Sequence, residues 1–264
     1  MSIPKLSIIT INYNNIDGLK RTVESVLNQS WRDFEYIIID GGSTDGSDAY
    51  IESQSGNIDF WISETDKGVY NAMNKGIVKA TGEYLLFLNS GDHFFNNEVL
   101  KQNYKYLGLR DIIYFNLQVS GENREFVKKY PNELSFSYFM KSTLPHPATF
   151  INASLFDKVG LYDESLRFVS DWKFFIESIC KFNSSYMWID TVLTKFYLDG
   201  LSSDFKNHDT ISCEVEGVLK SNFQAFILDS NELIELNELR KILSRIRNSR
   251  KIKILIKLGI LKEF

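Results

Sequence analysis

Leu6-Ser7-Ile8-Ile9-Thr10-Ile11-Asn12-Tyr13-Asn14 is the stretch that decides the class of fold. From Leu6 to Ile11 it is nearly continuous in apolar residues, so it reads as a strand covered on both faces. Working outward, Leu19, Val23, Val26 and Leu27 recur at helical spacing, and Tyr36 to Ile39 is a second buried strand. Ile58 to Ile62 is a third strand. Val69, Met73, Ile77 and Ala80 make another helical stripe, and Tyr84 to Leu88 is a fourth strand. Strands alternating with helices predict a mostly parallel sheet sandwiched by helices.

Each apolar strand stops at a polar or acidic group: Asn12 after the first, Asp40 after the second, Ser63 after the third, and Asn89 to Asp92 after the fourth. In open parallel sheets ligands bind outside the carboxyl ends of the strands. These groups, far apart in sequence, are therefore expected to converge on one cleft.

The second half is less regular. Asp111 to Val119 reads as a strand, Asp171 to Cys180 as a helix and Met187 to Tyr197 as strand-rich, while Ser137 to Phe156 holds a Pro145-His146-Pro147 turn. From about Asp229 helix formers dominate. Asp229 with Glu232 suits a helix cap, and Leu233, Leu236, Leu239, Leu243 and Ile246 supply an apolar face.

At 264 residues, 44% hydrophobic and 24% charged, the chain has the composition of a globular protein with one large domain and a small appendage. A net charge of −4 gives no reason to expect nucleic acid as a partner. The two cysteines, Cys180 and Cys213, show no metal-ligand spacing and are expected as reduced thiols in a cytosolic protein. The N-terminus lacks a basic region followed by an apolar one, so no signal peptide is expected, and no apolar run is long enough to span a membrane.

Two turns stand out chemically. Asp40-Gly41-Gly42-Ser43-Thr44-Asp45-Gly46-Ser47 brings backbone within reach of a ligand, or serves as an ordinary capped strand-to-helix turn. It is neither GxGxxG nor a Walker loop. Asn89-Ser90-Gly91-Asp92 places a carboxylate at a strand end, where it suits Mg2+ or Mn2+, ions that keep waters and bridge phosphate oxygens. The alternative is a capped turn.

Taken together, three stretches resemble the family 2 glycosyltransferases of the GT-A fold, the inverting type. They are Ser7 to Asn14 with Ser25 to Ser30; Tyr36 to Ser47; and Asp66-Lys67-Gly68-Val69-Tyr70-Asn71-Ala72-Met73-Asn74-Lys75-Gly76 running on to Asp92. The match covers about residues 6 to 202. It implies an α/β fold of the GT-A type: a Rossmann-like, mostly parallel sheet flanked by helices, over residues 1–204. The nucleotide-binding half would be about 1–107 and the acceptor half about 108–204, with a helical C-terminal extension at 205–264.

The resemblance also implies roles. Thr10, Asn12 and Tyr13 would line the nucleotide pocket, and Asp40 would accept a hydrogen bond from uracil. Asp66 and Lys67 would reach base and diphosphate, with Asn71 and Asn74 near the donor. Asp92 would be the metal-binding carboxylate for Mn2+ or Mg2+. Asp171, in Ser170-Asp171-Trp172, would be the catalytic base, although its position also suits a helix cap. His146 would contact the acceptor. Asp199, where relatives carry a histidine, would substitute as a metal ligand, and His208 is a further candidate.

The sequence departs from the pattern in two places. Asn89-Ser90-Gly91-Asp92 has lost two of the usual carboxylates, which weakens the expected metal affinity, and Ser170 replaces a glutamate. The implied reaction is inverting transfer from a UDP-sugar to a saccharide or lipid-linked acceptor, in bacterial surface polysaccharide synthesis. A non-catalytic nucleotide-sugar or saccharide-binding module is the rival that the depleted motif favours. A nucleotidyltransferase would want a Gly-rich, basic first strand end, which Ile9 to Tyr13 lacks. From Arg240 to Lys262, basic residues interleave with Ile and Leu in an otherwise acidic chain. The stretch suits peripheral contact with anionic lipid on the cytoplasmic membrane face, or a docked helix with a solvated basic side.

Overall fold

The computed structural model describes residues 3–121, 124–198 and 205–258. The strands are β1 (Leu6–Asn12), β2 (Phe34–Asp40), β3 (Phe60–Ser63), β4 (Tyr84–Phe87), β5 (His93–Phe94), β6 (Ile112–Gly121), β7 (Arg124–Lys128), β8 (Thr149–Asn152) and β9 (Tyr186–Tyr197). The helices of the first half are α1 (Ile16–Leu27), α2 (Ser47–Ser53), α3 (Val69–Lys79) and α4 (Val99–Asn103). They are followed by α5 (Phe136–Phe139), α6 (Ser154–Val159), α7 (Ser170–Cys180), α8 (His208–Asn222), α9 (Gln224–Asn248) and α10 (Arg250–Lys257).

The described strands form one sheet in the order β3-β2-β1-β4-β8-β6-β9-β5, with β7 on β6. The first four pair in parallel, and the register puts Asn12 opposite Asp40 and Asp40 opposite Ser63. Every residue of β1 is buried, the result of helices on both faces. Gly76 lets α3 lie close to that strand: a Cβ there would sit 2.5 Å from Ile9 Cγ2.

Beyond β4 the sheet is mixed. β8 runs antiparallel to β4 and β6, β7 is antiparallel to β6, and β6 pairs in parallel with β9 through an irregular register between Phe115 and Leu117. Parallel pairing runs across β3-β2-β1-β4 and returns between β6 and β9, and the remaining pairs are antiparallel. Parallel neighbours need a long crossover, usually a helix, and the short Gly121-to-Arg124 connection between β6 and β7 provides none.

Tertiary contacts divide the chain into units Met1–Glu214 and Val215–Phe264, a division that falls inside α8. The expected cap at Asp229 is corrected: α9 begins at Gln224, and Asp229 and Glu232 lie within it, because Gln224 to Leu228 already form helix. Leu236, Leu239, Ile242, Leu243 and Ile246 of α9 are left 42–52% exposed. Cys180 and Cys213 are unpaired. No described helix is long and apolar enough to cross a membrane.

Candidate functional site

Asp40 is the hub of the strand ends. Its Oδ1 accepts from Asn12 Nδ2 (2.7 Å) and the Ser43 hydroxyl (2.6 Å), and its Oδ2 from the Ser43 backbone N–H (2.9 Å) and the Ser63 hydroxyl (2.6 Å). Burial alone would raise the pKa of this carboxyl, but the hydrogen bonds from Ser43, Ser63 and Asn12 outweigh it and hold the group below its ordinary value. Four donors fill its four acceptor directions. Ser63 is half-buried, so its hydroxyl is the donor of the four that can rotate away.

The loops after β1, β2 and β3 close on this hub. Asn14 takes a left-handed conformation (φ 48°), donates its backbone N–H to Ser43 Oγ (2.7 Å), and accepts the Thr44 N–H with its side chain (2.8 Å). Asp45 accepts from the Ile16 N–H (2.8 Å), fixing the start of α1. At Gly41 an added Cβ would stand 2.5 Å from Asp66 Oδ2 and 3.2 Å from the Tyr13 ring, so a side chain there would push the Asp66 carboxylate aside. Asp66 accepts the Gly68 N–H (2.8 Å), and Tyr13 is 66% exposed, offering a free aromatic face.

The turn after β4 is held by Thr22 of α1. Its hydroxyl lies 2.6 Å from the Asp92 carbonyl oxygen and accepts the Gly91 N–H at 3.0 Å. The Asp92 N–H returns to the Asn89 carbonyl (3.0 Å), and Asn15 Nδ2 reaches the Ser90 carbonyl (3.1 Å). Two buried carboxamide oxygens at these strand ends, on Asn12 and Asn89, have no hydrogen-bond partner among the described residues. An unsatisfied buried acceptor costs about 1–3 kcal/mol, which a donor or cation from outside the chain would remove.

No group of three or more His, Cys, Asp and Glu side chains suited to a metal occurs among the described residues. The chemistry of the turn nevertheless suits a hard cation. The Asp92 carboxylate and the unpartnered Asn89 Oδ1 are both oxygen donors, and such ions are completed by phosphate oxygens and water. Asp199 lies outside the described residues.

Asp171 is the second residue of α7, inside its first turn, and the helix has no side-chain cap. Its Oδ1 accepts from Tyr70 OH at 2.7 Å; the other oxygen makes no hydrogen bond among the described residues. Ser170, where the related pattern has a glutamate, accepts the Asp163 N–H through its hydroxyl (2.5 Å). Glu214 of α8 accepts the N–H groups of Arg167 and Phe168 (2.7 and 3.0 Å), bracing the loop that leads into Asp171.

Several expected residues are tied into the chain by their own hydrogen bonds. Thr10 is sealed in the core, its hydroxyl bonded to the Leu88 carbonyl (2.8 Å) and near Tyr36 OH (3.0 Å), because β1 is covered on both faces. Asn74 is buried and exchanges two hydrogen bonds with the Tyr162 backbone. Asn71 and Asn74 both donate to Glu164, at 2.9 Å each. His146, expected to contact the acceptor, is buried, stacked on Phe87 (4.8 Å) and paired with Tyr162 OH (2.8 Å). Burial lowers its pKa, only partly offset by Asp171. Lys67 is exposed, on a cavity of about 260 Å3 that Tyr70, Asn71, Glu164 and Arg167 also line. His208 begins α8.

Ser43, Ser63, Tyr70 and Glu164 hold the site together, and none stands out by residue type. Tyr70 carried a signal inside the Asp66 to Gly76 motif, Ser43 inside the Tyr36 to Ser47 stretch and Ser63 at the end of its strand.

Residues 7–159 match the model of glycosyl transferase family 2. An uncharacterized glycosyltransferase of Mycobacterium tuberculosis is 35% identical over 212 residues, 76% of this chain and 78% of its own. Among solved structures, residues 1–349 of TarS from S. aureus in complex with UDP share the fold with a TM-score of 0.60 at 19% identity, over 73% of this chain and 60% of that one. The mannosyltransferase PcManGT from Pyrobaculum calidifontis, in complex with GDP-Man and Mn2+, aligns with a TM-score of 0.58 at 13% identity, over 76% of this chain and 59% of that one. The fold is that of the GT-A glycosyltransferases.

Proposed function

The chain belongs to glycosyl transferase family 2 and is a glycosyltransferase, and on that premise we propose that it moves a sugar from a UDP-sugar to a hydroxyl of a saccharide or lipid-linked saccharide, with inversion. The observation that carries the reading is the Asp171 carboxylate, with one oxygen tied to Tyr70 and the other without a hydrogen bond among the described residues. That second oxygen takes the proton of the acceptor hydroxyl as that hydroxyl attacks the anomeric carbon from the face opposite the diphosphate. An α-linked donor then gives a β-linked product. Holding both reactants in one cleft removes much of the entropic cost of a bimolecular step.

At the other end of the cleft, Asp40 receives the base. A uracil N–H replaces the rotatable Ser63 hydroxyl on Oδ2, while Asn12 and Ser43 keep the carboxylate in place. Tyr13 supplies its exposed ring, and Asp66 and Lys67 close the loop over the nucleotide. Asp92 and Asn89 would hold Mn2+ or Mg2+, which when bound neutralises charge on the leaving diphosphate. A Mn2+ complex of the mannosyltransferase PcManGT supports such a cofactor.

UDP release from a panel of UDP-sugars, with and without added saccharides, tests the reading. Acceptor-dependent release supports transfer. Binding without release would favour a nucleotide-sugar-binding module.

The tail supplies a place for the reaction. In α10, Ile252, Leu255 and Ile256 fall on one side, and Arg250, Lys253 and Lys257 on the other. We assign it to peripheral contact with the inner face of the cell membrane, where a lipid-linked acceptor sits. Each basic residue at an anionic surface contributes about 1 kcal/mol, screened by salt. Replacing all three basic residues (Arg250→Glu, Lys253→Glu and Lys257→Glu) should abolish co-sedimentation with phosphatidylglycerol vesicles at low salt. Equal pelleting of variant and native protein would contradict the assignment.

A further inference from the structure

We propose that Tyr70 is a positioning residue of the transfer reaction: it fixes which oxygen of Asp171 faces the acceptor and ties that carboxylate to the donor loop. The inference rests on the reading of Asp171 as the base. Tyr70 and Asp171 stand 101 residues apart, on α3 and α7, and the Tyr70 hydroxyl donates to Asp171 Oδ1 at 2.7 Å. A carboxylate on a single side-chain bond rotates in a broad, roughly two-fold well. A donor fixed to one oxygen selects one of the two orientations and leaves the other oxygen for the incoming hydroxyl.

The phenol is itself immobile. Tyr70 is 5% exposed, and its ring packs at 5.7 Å against Tyr162. Tyr162 is pinned in turn: Asn74, one helical turn beyond Tyr70, bonds its backbone N–H and carbonyl, and His146 bonds its hydroxyl. Burial first, and then the charge of Asp171, push the Tyr70 pKa well above its ordinary value. The group therefore remains a protonated donor across the neutral range.

Tyr70 also has a second attachment. It begins two residues after Gly68, whose N–H is held by Asp66, and Asp66 lies against Gly41 beside Tyr13. The loop proposed to close on the nucleotide and the side chain that orients the base thus belong to one short piece of backbone. A donor held by residues 66–68 is thereby linked, through the first turn of α3, to the Tyr70 hydroxyl and the base it orients.

Tyr70→Phe removes the hydroxyl and keeps the ring. In the full chain, UDP release should be measured for the native protein, Tyr70→Phe, Asp171→Asn and the double variant, using the UDP-sugar of the panel that turns over fastest. UDP affinity is measured alongside by calorimetry. Tyr70→Phe should lose roughly 10-fold in turnover, the worth of one hydrogen bond to a charged group, with UDP affinity unchanged. The double variant should be no slower than Asp171→Asn, because Tyr70 acts through Asp171. Losses that multiply, or a fall in UDP affinity that accounts for the loss, would overturn the inference. So would native turnover in Tyr70→Phe while Asp171→Asn is slow, which leaves the base reading intact. Native turnover in Asp171→Asn instead overturns the base reading itself. Independently of turnover, tyrosine-selective 13C labelling should show the Tyr70 ring signal moving in Asp171→Asn, and an unmoved signal would also overturn the inference.

Discussion

Asp171→Asn should leave the chain folded and able to bind UDP while turnover falls by about 10²-fold or more, the usual range for a group that moves a proton in the transition state. Asparagine has the shape of aspartate and can still accept the Tyr70 hydroxyl through its amide oxygen, so the packing at the start of α7 is preserved. What it cannot do is take a proton. The helix-cap alternative predicts the opposite pattern, a loss of stability with turnover retained. The structure lacks the geometry for it, since Asp171 lies inside the first turn and α7 has no side-chain cap. Near-normal turnover in this variant would reduce Asp171 to a surface acid beside a tyrosine.

The second large effect is expected at Asp92. Asp92→Ala should remove the response of turnover to Mn2+ and slow UDP release by about 10²–10³-fold, the cost of losing one preorganised charge-stabilising group. The fold should survive. The turn around it is held by backbone contacts to the Thr22 hydroxyl and by the Asp92 N–H bond to Asn89, none of which needs the carboxylate. Thermal stabilisation by Mn2+ in the presence of UDP gives a readout free of turnover: native protein should be stabilised and the variant should not. A variant that keeps its metal response would show that the ion is held elsewhere.

The parallel half of the fold was legible because burial on both faces writes each strand as an unbroken apolar run. β1 and β2 read that way directly, and they end at Asn12 and Asp40, which are hydrogen-bonded to each other. β7 was not legible, since all five of its residues are exposed and nothing imposes an alternation. β8 was hidden behind Pro145-His146-Pro147. At the site, residue type pointed to Asp40, Asp92 and Asp171. Orientation did not follow from type. Thr10 lies two residues before Asn12 on the same strand, yet its hydroxyl is spent on Leu88 inside the sheet. Asn74 falls on the buried side of α3, where its amide holds Tyr162. The Tyr70–Asp171 bond spans half the sheet in chain order, and no local periodicity encodes a contact between residues 101 positions apart.

The central claim is that the strand ends around Asp40 receive a uridine nucleotide, and calorimetric titration of UDP into native protein and Asp40→Ala tests it most directly. The native chain should bind UDP, and the variant should bind it more weakly by roughly 1–3 kcal/mol, the cost of leaving a buried hydrogen-bonding partner unmatched. Equal affinity in the two proteins, with both folded, would contradict the account and place the nucleotide away from Asp40.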